Sequence, residues 1–162
     1  MTANPNPLAP RVGVAAIIYN AKGELIMGKR MGSHGEGSWA CPGGHLEMGE
    51  SFFTCAERET LEETGLHVKG VKVAAVTNDV FDAAAKHYIT VFVQCEMEDA
   101  NAQPETMEPD KCEGWLWMTW DAVRLWIDHH EDTTPEWAGK KCFLPLRNLS
   151  KTDVQMLPSQ SI

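Results

Sequence analysis

Short apolar stretches, broken by glycine, proline and charged clusters, divide this chain into strands and a few helices. Residues 11–19 (RVGVAAIIY) are dominated by β-branched and small apolar side chains and predict a buried strand. A turn at 20–23 (NAKG) leads into a returning strand at 24–30 (ELIMGKR), making a hairpin. Three glycines make 31–38 a mobile loop, and 39–41 form a short extended piece before Pro42-Gly43-Gly44. Further strands are expected at 71–78 and 87–97, with a loop or short turn at 79–86 between them. Polar residues 101–110 form a surface connection. A strand at 115–120 (WLWMTW) then runs into a short helix at 121–127. A loop with helical turns fills 128–141, and a helix is expected around 143–149. Residues 1–10 read as a loose arm and 151–162 as a frayed tail, leaving 11–150 as one domain.

The segment 52–64 has a different character. It contains no glycine or proline, Ser51 is a suitable N-cap, and Gly65 stands where a left-handed residue ends a helix. Between Gly44 and Leu66 six glutamates surround the single arginine, Arg58. On a helix, Glu59 and Glu63 are one turn apart with Glu62 beside them, their Cβ atoms about 5–6 Å from one another. Like charges at that spacing are unfavourable, and carboxylates in a last turn oppose the helix dipole at a cost of about 0.3–1 kcal/mol each. A sequence that breaks local preference in this way marks a functional site. A divalent cation such as Mg²⁺ reverses both penalties, because it takes hard oxygen donors from carboxylates and substrate phosphate. The plain alternative is a solvated acidic face.

Neighbouring residues carry similar pairs of readings. Gly43 and Gly44 allow backbone to approach a ligand, or simply form a turn after Pro42. His45 has the chemistry to bond a phosphate or an attacking water, or to be an ordinary exposed histidine. Glu50 suits the positive end of the helix, and Arg58 pairs with Glu62 four residues on, a contact worth little at a surface. Glu108, Asp110 and Glu113 add carboxylate before Trp115. Of the six tryptophans, Trp39, beside the glycine loop, is the one expected to line a pocket.

Composition narrows the options. At 162 residues with 43% hydrophobic side chains the chain supports one packed domain and excludes disorder. A formal charge of −9 repels a polyanionic duplex, so a nucleic-acid polymer is not the expected partner. The five cysteines are odd in number and form no CxxC pair, which points to reduced thiols rather than zinc or disulfides. No apolar run is long enough to cross a bilayer, and the proline-rich start lacks a signal peptide's apolar core, so the cytosol is the expected location and no membrane partner is expected.

The spacing of Gly44, Glu50, Arg58-Glu59, Glu62-Glu63 and Gly65 resembles the Nudix box, with Thr60 on the buried side of the helix where an aliphatic residue is usual. The phrases LIMGKRMGSHGEGSWACPGGHLEMGES, VTNDVF, KHYITVFV, MEPDKCEGWLW and CFLPL are similar to the small cytosolic Nudix hydrolases of plants and animals. That group includes enzymes clearing modified purine nucleotides of the 8-oxo-dGTP type. The resemblance implies an α/β fold: a Nudix-type α/β/α sandwich with a mixed sheet and a central catalytic helix. It also implies roles. Glu59 and Glu63 would ligate Mg²⁺, or Mn²⁺ in its place. Glu62 would share a second ion or help deprotonate water, with Glu50 near the metal shell. Arg58 would orient the carboxylates, and the carbonyl before Gly44 would complete the coordination. Arg30 would approach the phosphates, Thr90 the base, and Phe143 would form a ring wall. The plain readings of these three are a solvated strand end, a β-former and a core anchor. Ala40 and Leu144 depart from the animal enzyme, which removes a hydrogen bond to the base and weakens stacking. One of Glu108, Asp110 and Glu113 would assist as base or ligand.

The expected function is therefore a Mg²⁺-dependent pyrophosphohydrolase that cleaves nucleoside triphosphates to monophosphate and pyrophosphate. The rivals are a diphosphatase acting on NADH, nucleotide sugars or prenyl diphosphates, and a non-catalytic nucleotide-binding module. A homodimer is implied by the resemblance.

Overall fold

Valine, alanine and isoleucine fill strand β1 (Arg11–Ile18), and this composition suits a strand covered on both faces. In the computed structural model, which describes residues 8–32 and 34–156, β1 lies inside a mixed four-stranded sheet. On one side it pairs antiparallel with β4 (Gly43–His45), and on the other parallel with β6 (Lys86–Met97). Strand β5 (Val68–Phe81) closes the edge antiparallel to β6. A second, antiparallel sheet contains β3 (Trp39–Ala40), β2 (Leu25–Arg30) and β7 (Cys112–Met118) in that order.

Helix α1 (Phe52–Thr64) covers one face of the mixed sheet, where Cys55 and Ala56 pack with Val14, Ala16, Ile18, Val91 and Val93. The other face buries Ile17 and Phe92 against Leu25, Met27 and Met118 of the second sheet. Val123 of α2 (Trp120–Asp128) and Leu146 and Leu149 of α3 (Leu144–Leu149) complete that layer. The expected α/β sandwich with a mixed sheet is the fold observed.

Several boundaries moved for identifiable reasons. The hairpin of β5 and β6 is longer than its hydrophobic pattern indicated, because the backbone of residues 68–70 and 79–81 keeps pairing with β6 whatever their side chains. The loop or short turn expected at 79–86 is a short one, a single 3₁₀ turn at Asp82–Ala84 closed by Ala85 with φ of 49°. Strand β7 starts at Cys112 and stops at Met118, since the Thr119 side chain accepts from the N–H of Ala122 and starts α2 there. Residues 8–10, the described part of the expected arm, are exposed. Of the expected frayed tail, residues 151–156 are described, and Val154 and Met156 pack partly buried on the second core cluster. The remainder of both segments lies outside the described residues. All five cysteines are free, and among the described residues no helix is long and apolar enough to cross a membrane.

Candidate active site

The acidic helix begins and ends as its sequence dictates. The Ser51 hydroxyl accepts from the Thr54 N–H at 3.0 Å, and Gly65, with φ of 73°, donates its N–H to the Leu61 carbonyl. Midway along, Arg58 holds the surrounding carboxylates together. Its Nε and Nη2 donate to the two oxygens of Glu50 at 2.7 and 3.2 Å, a planar fork matched to a planar carboxylate. Its Nη1 donates to Glu59 at 2.9 Å and Glu62 at 3.2 Å, and Nη2 also reaches the His45 carbonyl at 3.2 Å. One guanidinium therefore ties the loop after β4 to successive turns of α1. The hydrogen bond from Arg58 pulls the Glu50 carboxyl down to about 2, and the same bond raises the proton affinity of Arg58.

Glu59 and Glu63 sit differently. Burial raises Glu59, with Arg58 opposing the shift. Burial also pushes Glu63 up to about 8, reinforced by the charge of Glu59 and opposed by a backbone hydrogen bond from Gly43. Glu108 raises both, so it is the residue of the expected trio nearest the chemistry. Asp110 lines the same cleft, whereas Glu113 is drawn away to Lys29 at 3.0 Å.

These residues fit a divalent cation in donor chemistry. Two desolvated carboxylates one turn apart, one of them bonded by Arg58, present the hard oxygen donors that a dication takes. Among the described residues, no three His, Cys, Asp or Glu side chains already converge as a metal cage. Glu62 explains part of this, because its half-exposed carboxylate is held by Arg58. Glu59 and Glu63, with the Gly43 carbonyl that the resemblance adds, would hold an ion, water and phosphate supplying further oxygens, as Mg²⁺ prefers.

A pocket of about 120 Å³ adjoins the cleft across the Gly43-Gly44 ridge. Arg30, Gly43, Gly44 and His45 line both spaces, and Thr90 and Phe143 line the pocket. Arg30 lies over the Phe143 ring, its guanidinium carbon 4.0 Å from the ring centre. His45 Nε2 is 3.0 Å from the Tyr88 hydroxyl. Burial lowers the proton affinity of His45, as it does for His34, which falls to about 4. Phe81 and Tyr88 face each other edge to face at 6.1 Å, and Phe81 lies 5.3 Å from Phe143. Sequence reasoning missed His34, Phe81 and Tyr88. The two aromatics flanking a short turn were the available signal.

Two expectations are corrected. Trp39 does not line the pocket: its indole N–H donates to the Gly139 carbonyl at 2.9 Å and its ring packs edge-on to Trp126 at 5.6 Å. Its contribution is through the backbone, which bonds Lys141 and Phe143 and so sets the ring wall. Leu144 is likewise not on the lining, which is completed by Pro145 and Leu146, while Ala40 does border the pocket.

Comparison with known proteins places this geometry. The chain is 27% identical to an RNA pyrophosphohydrolase of Erwinia tasmaniensis, over 76% of this chain and 77% of that one. It is similar to a MutT NUDIX hydrolase structure from Burkholderia pseudomallei, with 26% identity, a TM-score of 0.63, and coverage of 70% of this chain and 85% of that one. A UDP-X diphosphatase structure shares 27% identity with a TM-score of 0.56, covering 70% of this chain and 52% of that one. The NUDIX domain model matches residues 9–138, a span that takes in both sheets, the acidic helix and most of the pocket, and the chain therefore belongs to the Nudix hydrolase family.

Proposed function

We propose that this Nudix hydrolase cleaves nucleoside triphosphates, modified purine triphosphates among them, to nucleoside monophosphate and pyrophosphate. The supporting observation is the pair of adjoining spaces, one acidic and one ringed by aromatics, joined at Arg30, Gly43 and Gly44. A flat ring occupies the aromatic pocket while its phosphate chain crosses the glycine ridge into the carboxylate cleft. Arg30, at the junction, holds the phosphates. Phe143, Phe81 and Tyr88 enclose the base. Arg58 keeps Glu59 and Glu62 in register, since positioning is a large part of catalysis in phosphorus displacement. Glu62 takes the proton of the attacking water. Members of this family use divalent metal ions. Glu59 and Glu63 would hold a Mg²⁺ or Mn²⁺ ion, which would supply charge neutralisation at the phosphate bridge and acidity to the attacking water.

The Erwinia relative's name supports a second reading, in which the triphosphate sits at an RNA end. The charge of −9 favours a free nucleotide over a polymer. The Thr90 hydroxyl and the guanidinium over Phe143 favour a heteroaromatic base over a prenyl chain. The same reading includes a cytosolic homodimer; the exposed Val76 and Val80 on edge strand β5 offer apolar surface for a second copy. The test is pyrophosphate release with Mg²⁺ across triphosphates, dinucleotides, nucleotide sugars, prenyl diphosphates and triphosphorylated RNA, compared by kcat/KM. A best substrate without a nucleobase overturns the reading. So does full activity in Glu63→Gln.

A further inference from the structure

Behind the pocket wall lies a fully buried carboxylate that the proposed reaction does not use. Asp79 is 0% exposed, and three neutral donors converge on it. The hydroxyls of Thr77 and Thr90 donate to its Oδ2 at 2.9 and 2.6 Å, and Asn148 Nδ2 donates to its Oδ1 at 2.8 Å. The amide of Asn148 is fixed in that orientation, because the same nitrogen also faces the Asn78 carbonyl at 3.3 Å. Strand pairing sets the arrangement: Thr77 is directly opposite Thr90, and Asp79 follows two residues later on the same face.

Thr90 lines the pocket, so its hydroxyl faces two ways. A hydroxyl has one proton and two lone pairs. With the proton committed to Asp79, only lone pairs remain for the pocket. Gly13, opposite Thr90 on β1, leaves that oxygen accessible; a Cβ there would lie 3.9 Å from Oγ1.

We propose that Asp79 fixes the Thr90 hydroxyl as an obligate acceptor, so that the pocket selects ring systems presenting an N–H and rejects those presenting a ring-nitrogen lone pair at that edge. This rests on the nucleotide reading above and adds the feature by which the base is chosen. Thr90 touches the ligand, and Asp79 is a positioning residue acting through it.

Asp79→Asn tests the idea with almost no change in shape. Asn148 still requires an acceptor, so the new side chain turns its oxygen there and its NH₂ towards the threonines. Thr90 then accepts from it, and the Thr90 proton swings into the pocket. The probes are two pairs of triphosphates, each differing in one ring N–H and the carbonyl oxygen beside it: deoxyinosine against deoxynebularine, and deoxyuridine against deoxyzebularine. The carbonyl difference is common to every variant, so the change in ratio reads the N–H. Wild-type enzyme favours the N–H member of a pair by about tenfold or more in kcat/KM. Asp79→Asn lowers that ratio by a similar factor. Thr90→Val removes the preference and Thr90→Ser keeps it, and this second pair decides the matter if Asp79→Asn does not fold. Turnover with a ratio unchanged in Asp79→Asn or in Thr90→Val overturns the proposal alone. If none of the four nucleotides is cleaved while another diphosphate is, the nucleotide reading falls and this inference with it.

Discussion

A Cβ on Gly44 would lie 2.3 Å from Oε1 of Glu59: the carboxylate occupies the space a side chain would take. The box glycine is thus a steric requirement of the box glutamate. Gly44→Ala forces Glu59 aside without needing the backbone to move, because the contact is with the end of a flexible side chain. We expect kcat/KM to fall about 10²-fold, the effect of displacing a catalytic group by an ångström or so, with the denaturation midpoint near that of wild type. Wild-type turnover in this variant would show that Glu59 is not held in place by the ridge.

The Glu63 carboxyl, raised to about 8 by burial and by Glu59, makes metal-free stability depend on pH. Between the ordinary value of 4.5 and about 8 the unfolded chain has released this proton while the folded chain retains it. Stability therefore falls as pH rises through that window. Urea midpoints of metal-free wild type measured across it should decline relative to those of Glu63→Gln, a comparison that cancels His34 and His45, of opposite sign, and the similarly raised Glu59. That difference should weaken when Mg²⁺ is present, since the ion favours the charged form.

Glu50 has the opposite sign. Arg58 holds it down to about 2, so its contribution is complete above the unfolded value of 4.5 and is lost as pH falls towards 2. Arg58→Lys keeps the charge but loses the fork that grips both Glu50 oxygens. Chemical denaturation at neutral pH should show a loss of about 2–3 kcal/mol, less than for a fully buried pair because Arg58 is partly exposed. The acid-side slope should flatten in the same variant.

Thr60 takes the place of an aliphatic residue, is 0% exposed, and its hydroxyl has no hydrogen-bond partner among the described residues. Thr60→Val keeps the shape and removes an unsatisfied polar atom. Thermal unfolding should shift upward by about 2–4 °C, equivalent to about 1 kcal/mol for a domain of this size. A lower melting temperature would mean that the hydroxyl is satisfied in solution.

Local signals in the sequence were read well, and contacts between distant segments were not. Helix α1 runs from Phe52 to Thr64 as its cap and terminal glycine indicate, because both signals are contained in the segment itself. The spacing of the glutamates was legible for the same reason. Trp39 was misplaced because its partners, Trp126 and Gly139, are about a hundred residues away in the chain, and nothing near Trp39 names them. Glu113 was grouped with Glu108 and Asp110 by proximity, but it lies on β7 and is paired with Lys29 from β2. Asp79 was assigned to the loop or short turn at 79–86; its backbone pairs with Tyr88 on β6, and Thr90 and Asn148, brought in from elsewhere, bond its side chain.

The hairpin of β5 and β6 carries Asp79, Phe81, Tyr88 and Thr90, while the metal-directed glutamates all belong to α1 on the far side of the sheet. In the proposed reading, reader and cutter are separate parts that meet at Arg30, His45 and the Gly43-Gly44 ridge. Swapping that one ribbon with a cousin's would re-address the enzyme to a new cargo while leaving its blade untouched.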